Sequence, residues 1–190
     1  MVLGREEIER RLAQNCLSAG GEHWSSQSGT LAAVLLCLIG YAGGPSIILT
    51  RRQAHLKNHA AEISLPGGRA EVTDDDPAST ALRETLEEIG LASDRIELLG
   101  CLPPRVTISG FRVYPLVGWI EPPVDLVMDS REVAEVFEVP LSFVLDRKNH
   151  ARGSTASGGK SYGFYVLEYQ DHCIWGATAQ ILVDLAGALS

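Results

Sequence analysis

The segment Leu65 to Leu91, LPGGRAEVTDDDPASTALRETLEEIGL, constrains this chain more than any other, because it fixes both a backbone geometry and a charge pattern. Its first half reads as a loop, in which Gly67-Gly68 lets the backbone approach a metal or phosphate without side-chain obstruction. Asp76-Pro77 is a good N-cap followed by the residue best tolerated at the first helical position, and Gly90 supplies the usual stop. The spacing therefore predicts a helix over Pro77 to Ile89. At 100° per residue, Ala78, Ala81, Leu82, Thr85 and Ile89 fall on one side, while Glu84, Glu87 and Glu88 share an arc of about 100° on another. Like charges at these spacings cost roughly a few tenths of a kcal/mol each, and only Arg83 lies close enough in angle to offset them. Something else is expected to neutralise the cluster. Carboxylates converging in this way are hard oxygen ligands suited to Mg²⁺ or Mn²⁺. A solvated acidic face is the competing reading, and the glycine loop ahead of the helix favours the metal or phosphate site.

The remaining composition narrows the partners. Twenty-four acidic against sixteen basic residues give a formal net charge of −8, which disfavours nucleic acid or an anionic membrane surface. The longest apolar stretch, Leu31 to Gly40, falls short of the ~20 residues that span a bilayer. The charged N-terminus shows no secretory signal, so a cytoplasmic location is the expectation. Cys16, Cys37, Cys101 and Cys173 lie far apart without a CxxC pair, so buried reduced thiols are expected in place of a disulfide framework or zinc site.

Arg5 to Asn15 suits a short amphipathic helix with Ile8 and Leu12 on one side, a lid or edge within an N-terminal extension of residues 1–25. The domain proper is expected over 26–190. Strands are predicted at Thr30 to Ile39, Ser46 to Thr50, Ile96 to Leu102, Phe111 to Ile120, Glu135 to Val139 and Tyr162 to Tyr169. Helices are predicted at Leu141 to Leu145 and Ala177 to Leu189. Arg152 to Lys160, RGSTASGGK, is the most loop-like stretch. Strands mixed with a few helices, without regular βα alternation, point to a layered α/β domain with a mixed sheet.

Arg83-Glu84-Thr85-Leu86-Glu87-Glu88-Ile89-Gly90-Leu91 matches REUXEEXGU, the second half of the Nudix box, with Thr85 where an aliphatic residue is more usual. Gly67-Gly68 matches its glycine start. The span from Gly68 to Arg83 is one residue longer than the standard box, and Asp75 occupies the place of the upstream Glu. Leu49-Thr50-Arg51-Arg52-Gln53, Lys57, Ala61 and Leu65-Pro66-Gly67-Gly68 are similar to the motif LLTXRSX3RX3GX3FPGG of coenzyme A pyrophosphatases. Lys57 there replaces Arg, Ala61 replaces Gly and Leu65 replaces Phe. The stretches from Ser109 to Gly118, Glu132 to Leu141 and Ile174 to Ala179 also look like that subfamily, so the resemblance covers about residues 30 to 187.

The resemblance implies an α/β/α Nudix sandwich that hydrolyses nucleoside diphosphates with Mg²⁺ or Mn²⁺, here the diphosphate of coenzyme A or its derivatives. Its competitors are the same chemistry on ADP-ribose or NADH and a nucleotide-binding module without turnover. Glu84 and Glu88 are the main metal ligands, completed by Glu87 and the Gly68 carbonyl. Arg83 is expected to orient a glutamate. The general base is open between Glu132 and Glu135, with surface acids as the alternative. Asp74, Asp75 and Asp76 read as loop solvation plus a helix cap. The basic stretch Arg51, Arg52, His55, Lys57 and His59, running into Gly67-Gly68, reads as an anion-binding segment, with Arg51, Arg52 and Lys57 as the best phosphate contacts. Trp175, Cys101 and Cys173 read as core. The oligomeric state is open, a homodimer included.

Overall fold

The computed structural model describes residues 3–13, 29–56, 59–157 and 160–190. The apolar run TLAAVLLCLI forms the central strand β1, Thr30–Ile39. A strand buried on both faces needs no alternation, and β1 accordingly sends Ala33, Leu35, Cys37 and Ile39 into one core and Ala32, Leu36 and Leu38 into another. β2 (Ser46–Arg52) pairs antiparallel with β1, β3 (Ile63–Ser64) with β2, and β4 (Gly67–Arg69) with β1. β7 (Phe111–Ile120) runs parallel to β1 from Thr30↔Phe111 to Ile39↔Ile120, and β5 (Glu97–Cys101) and β6 (Arg105–Val106) both pair antiparallel with β7. β8 (Val133–Pro140) pairs with β2. One parallel pair among antiparallel ones makes this eight-stranded sheet mixed.

Helix α1 spans Arg5–Ala13 and α2 spans Pro77–Ile89. α2 covers one face of the sheet through Ala81 and Ile89. The other face carries α1, the short α3 (Leu141–Leu145), α4 (Gly176–Ala188) and a three-stranded antiparallel sheet of β9 (Ala151–Ser157), β10 (Lys160–Tyr169) and β11 (His172–Trp175). The result is the α/β/α layering with a mixed sheet that the sequence led us to expect. None of the described helices is long and apolar enough to cross a membrane.

Several local expectations change. Of the stretch Arg152 to Lys160 expected as a loop, Arg152 to Ser157 is strand instead, pairing with β10 from Val166↔Ala151 to Lys160↔Ser157, while residues 158 and 159 lie outside the described residues. Strand pairing is carried by the backbone and needs no apolar anchors, and Gly153 leaves room for the Phe164 ring, which a Cβ there would meet at 2.7 Å. Trp175 is 46% exposed, in edge contact with Phe164, because it points to the outer face of β11 while Ile174 points inward. Cys173 shares that outward side and is exposed, and Cys101 is disulfide-bonded where a core thiol was expected. Cys37 is buried as expected, and Cys16 lies outside the described residues.

α1 is an integral part of the core. Ile8 and Leu12 are fully buried, and Leu12 stands over Gly100, where an added Cβ would lie 3.1 Å from the Leu12 Cβ. Truncating a buried leucine costs about 2 to 5 kcal/mol. Leu12→Ala is therefore expected to lower stability by that amount in urea denaturation, and an unchanged midpoint would show that the helix does not contribute to the folded core.

Candidate active site

The local chemistry of α2 sets the site. The Asp76 carboxylate accepts from the Ser79 N–H at 2.7 Å, and Gly90, at φ 69°, closes the helix by donating to the Leu86 carbonyl at 2.9 Å. The helix lays Thr80, Ala81, Thr85 and Ile89 on the sheet. The three glutamates are then exposed unequally: Glu87 projects outward, Glu84 is mostly covered, and the Glu88 side chain is only 4% exposed.

The glycine strand β4 covers them. A Cβ on Gly68 would lie 2.4 Å from the Glu84 carboxyl carbon, and one on Gly67, at φ 146°, would lie 2.3 Å from the Ala33 carbonyl oxygen. Position 67 therefore has to be glycine for the strand to fit beside β1, and a side chain at 68 would displace the Glu84 carboxylate from its present place. The Gly67 N–H donates to Glu88 at 3.2 Å, and Arg52 reaches the other Glu88 oxygen at 3.6 Å. These partners do not offset the burial, which pushes the Glu88 carboxyl up to about 8, with Glu84 and Glu132 adding repulsion. Burial likewise raises Glu84.

Arg83 is the hub of the surrounding network. It donates to Glu84 at 2.9 Å, to Glu87 at 3.3 Å, to the Arg69 carbonyl at 3.0 Å and to both oxygens of Asp74 at 3.2 and 3.0 Å. Asp74, held by Arg83 at about 2, also accepts from Thr80 and from the Glu71 N–H. The expectation that Asp74 merely solvates the loop is thus corrected, and it is Asp74 that meets Arg83, although Asp75 stands at the upstream acid position by count. Asp75 itself is exposed. Asp76 is the cap.

A cleft of about 330 Å³ opens beside the helix, lined by Glu84, Glu87, Glu88, Asp129, Arg131 and Glu132. Its second wall is tied to the helix by backbone: Val127 N–H donates to the Ile89 carbonyl at 2.9 Å and Asp129 N–H to that of Glu88 at 3.0 Å. Glu132 therefore faces the helix carboxylates. Glu135 lies elsewhere, paired with Arg51 at 3.2 Å and His172 at 3.1 Å, and His172 stacks on Phe137 with ring centroids 3.7 Å apart. Arg51 goes with Glu135, so of the two adjacent arginines only Arg52 reaches the cleft acids. Lys57 lies outside the described residues. His59 pairs with Glu62 at 2.7 Å and His55 is exposed. Asp129 and Arg131 escaped sequence reasoning because Asp129-Ser130-Arg131 reads only as a polar turn.

Among the described residues, no three acidic, histidine or cysteine side chains yet converge closely enough to hold an ion. The donor set nonetheless fits a hard divalent cation. Glu88 is a buried carboxylate short of positive charge, Glu84 sits in the space that the missing Cβ of Gly68 leaves free, and both are oxygen donors of the required hardness.

Residues 29–155 match the NUDIX domain family. The chain belongs to the Nudix family. It is 38% identical over 161 residues to the uncharacterized Nudix hydrolase NudL of Photorhabdus laumondii, covering 85% of this chain and 86% of that one. Its identity to the NudL of Pectobacterium atrosepticum is 37% over 159 residues, covering 84% and 82%. The fold is shared with a MutT/nudix family protein from Enterococcus faecalis at 17% identity and a TM-score of 0.52, covering 97% of this chain and 73% of that one. It is shared also with RenU of M. Smegmatis, at 24% identity and a TM-score of 0.51, covering 60% and 73%. As a Nudix hydrolase the chain cleaves nucleoside diphosphates linked to a further moiety, and Nudix hydrolases generally use divalent metal ions such as Mg²⁺ or Mn²⁺.

Two expectations follow for this Nudix site. The Glu88 carboxyl ionises near 4.5 in the unfolded chain and about 8 in the folded, metal-free protein. Across that window the folded state binds more protons, so stability falls as pH rises. Denaturation midpoints of the metal-free protein should fall through the window in the wild type and stay flatter in Glu88→Gln; equal slopes would show that Glu88 titrates normally. Removing a partner that orients a ligand-bearing group costs about 10- to 100-fold in activity. Asp74→Asn should lose turnover on that scale while Asp75→Asn stays near wild type, and the reverse ranking would give the orienting role to Asp75.

Proposed function

We propose that this Nudix hydrolase cleaves the diphosphate of coenzyme A or its derivatives, releasing 3′,5′-ADP and 4′-phosphopantetheine or its acylated form. The observation that carries the reading is Arg52. It occupies the first arginine of the motif shared with coenzyme A pyrophosphatases, and it brings a guanidinium to 3.6 Å from Glu88 with its buried Nε lacking any partner. A cation at that edge is what an additional substrate phosphate requires. Lys57, at the second basic position of the motif, is the other proposed contact, whereas Arg51 is withdrawn because Glu135 holds it.

Glu84, Glu87, Glu88 and the Gly68 carbonyl would hold the divalent cation, Mg²⁺ or Mn²⁺. Bound there, it supplies charge neutralisation for the diphosphate and a more acidic water. Hydrolysis forms one bond from the water oxygen to phosphorus and breaks the bridging P–O bond. Glu132 is the proposed acceptor of the water proton, since it faces the helix acids, and Glu135 drops out of that role. Arg83 keeps Glu84 aimed at the glycine strand and so acts through it.

A panel of CoA, dephospho-CoA, ADP-ribose and NADH with Mg²⁺ or Mn²⁺, read by product analysis, tests the assignment. A charge-assisted phosphate contact is worth about 1.5 to 3 kcal/mol, so Arg52→Ala should lower kcat/KM on CoA by roughly ten-fold or more. The wild type should prefer CoA to dephospho-CoA and lose turnover with excess EDTA. Equal rates on both coenzymes would replace the CoA assignment with a broader nucleotide diphosphatase.

A further inference from the structure

The cleft is lined by five carboxylates, Glu84, Glu87, Glu88, Asp129 and Glu132, and among its described lining residues Arg131 carries the one positive charge. A diphosphate entering this space meets carboxylates on both walls, and Arg131 is the lining side chain that can attract it. That arginine is held in place by its neighbour. The Asp129 carboxylate accepts from the Arg131 backbone N–H at 2.9 Å, from Nε at 3.0 Å and from Nη2 at 2.6 Å. The same turn is closed by Glu132 N–H and Val133 N–H donating to the Asp129 carbonyl at 3.0 and 2.8 Å. The side chain is 86% exposed, so the clamp fixes the guanidinium without burying it.

Asp129 engages one edge of the guanidinium, Nε and Nη2, which leaves the two N–H groups of Nη1 without a bond to any described residue. A planar guanidinium bound along one edge still offers donors along the other, and that geometry suits phosphate oxygens. We propose that Arg131 is a substrate-contacting residue that donates through Nη1 to a non-bridging oxygen of the scissile diphosphate, with Asp129 as its positioning residue. The assignment rests on diphosphate hydrolysis by this family and not on coenzyme A being the substrate. It also gives the Asp129-Ser130-Arg131-Glu132 turn one purpose: a single tight turn presents the donor for the phosphate and the carboxylate for the water proton side by side.

The test measures turnover of CoA, ADP-ribose and NADH at saturating Mn²⁺ for the wild type, Arg131→Gln, Arg131→Lys and Asp129→Asn, with Mn²⁺ binding to the substrate-free proteins followed by calorimetry. On each substrate that the wild type cleaves, Arg131→Gln should lose roughly ten-fold or more in kcat/KM, by a similar factor for all because the diphosphate is common to them. Arg131→Lys should recover part of the loss, and Asp129→Asn should raise KM more than it lowers kcat. Mn²⁺ binding should not weaken in Arg131→Gln. Wild-type turnover in Arg131→Gln, a loss confined to one substrate, or weakened Mn²⁺ binding would each overturn the assignment. Failure of the wild type to cleave CoA would overturn the coenzyme A reading alone, leaving Arg131 to be judged on the remaining substrates.

Discussion

The structure of the site depends on burying one carboxylate. Glu88 is covered because the helix that carries it must also lay Ala81 and Ile89 on the sheet, and because the Gly67-Gly68 strand closes over the neighbouring turn. A buried carboxylate with one N–H at 3.2 Å and one arginine at 3.6 Å is poorly compensated. The free protein answers by holding on to a proton, and a bound divalent cation would relieve the same deficit. The cost of folding this residue into the interior and its affinity for a cation are therefore two expressions of one electrostatic imbalance.

The sheet separates the charges that could otherwise cancel the site. Adjacent residues on a strand point to opposite faces, so Arg51 and Arg52 part company at the end of β2. Arg51 joins Glu135 and the stacked His172 on the side of the three-stranded sheet, while Arg52 turns toward α2 and Glu88. Glu132 and Glu135 separate in the same way across the start of β8. Pairing Arg51 with Glu135 across the register of β2 and β8 removes one cation and one anion from the cleft together. The cleft keeps its excess of negative charge.

Much of this was legible in the chain, for identifiable reasons. The bounds of α2 followed from Asp76-Pro77 and Gly90 because caps are local chemistry, and β1 and β7 followed from long apolar runs. The acidic arc on α2 was legible as an angle. Its gradation from exposed Glu87 to buried Glu88 was not, since that depends on where β4 crosses. Asp74 could not be told from Asp75 by counting, because which acid meets Arg83 is decided only once the loop has a path. Arg152 to Ser157 was misread for a similar reason: its glycine and serine content describes side chains, whereas its pairing with β10 is made by the backbone. Asp129 and Arg131 enter the cleft through two main-chain hydrogen bonds to α2, which leave no trace in residue type.

Those same main-chain bonds bear on how the site can vary. The wall from Val127 to Asp129 is fixed to the carbonyls of Ile89 and Glu88, at the end of a helix that is itself fixed by its caps and its apolar face. Nothing in that attachment requires a particular side chain at positions 129 to 132. Charge and reach at the second wall can therefore change while the first wall, with its demanding glycine and buried glutamate, stays constant. Gly67 and Glu88 are positions whose replacement would clash or leave a buried group unpaired. Under the proposed assignment, discrimination among diphosphates would fall to Arg52 and the basic segment leading to Gly67, whereas Arg131, on the diphosphate that all the substrates share, would serve each of them alike.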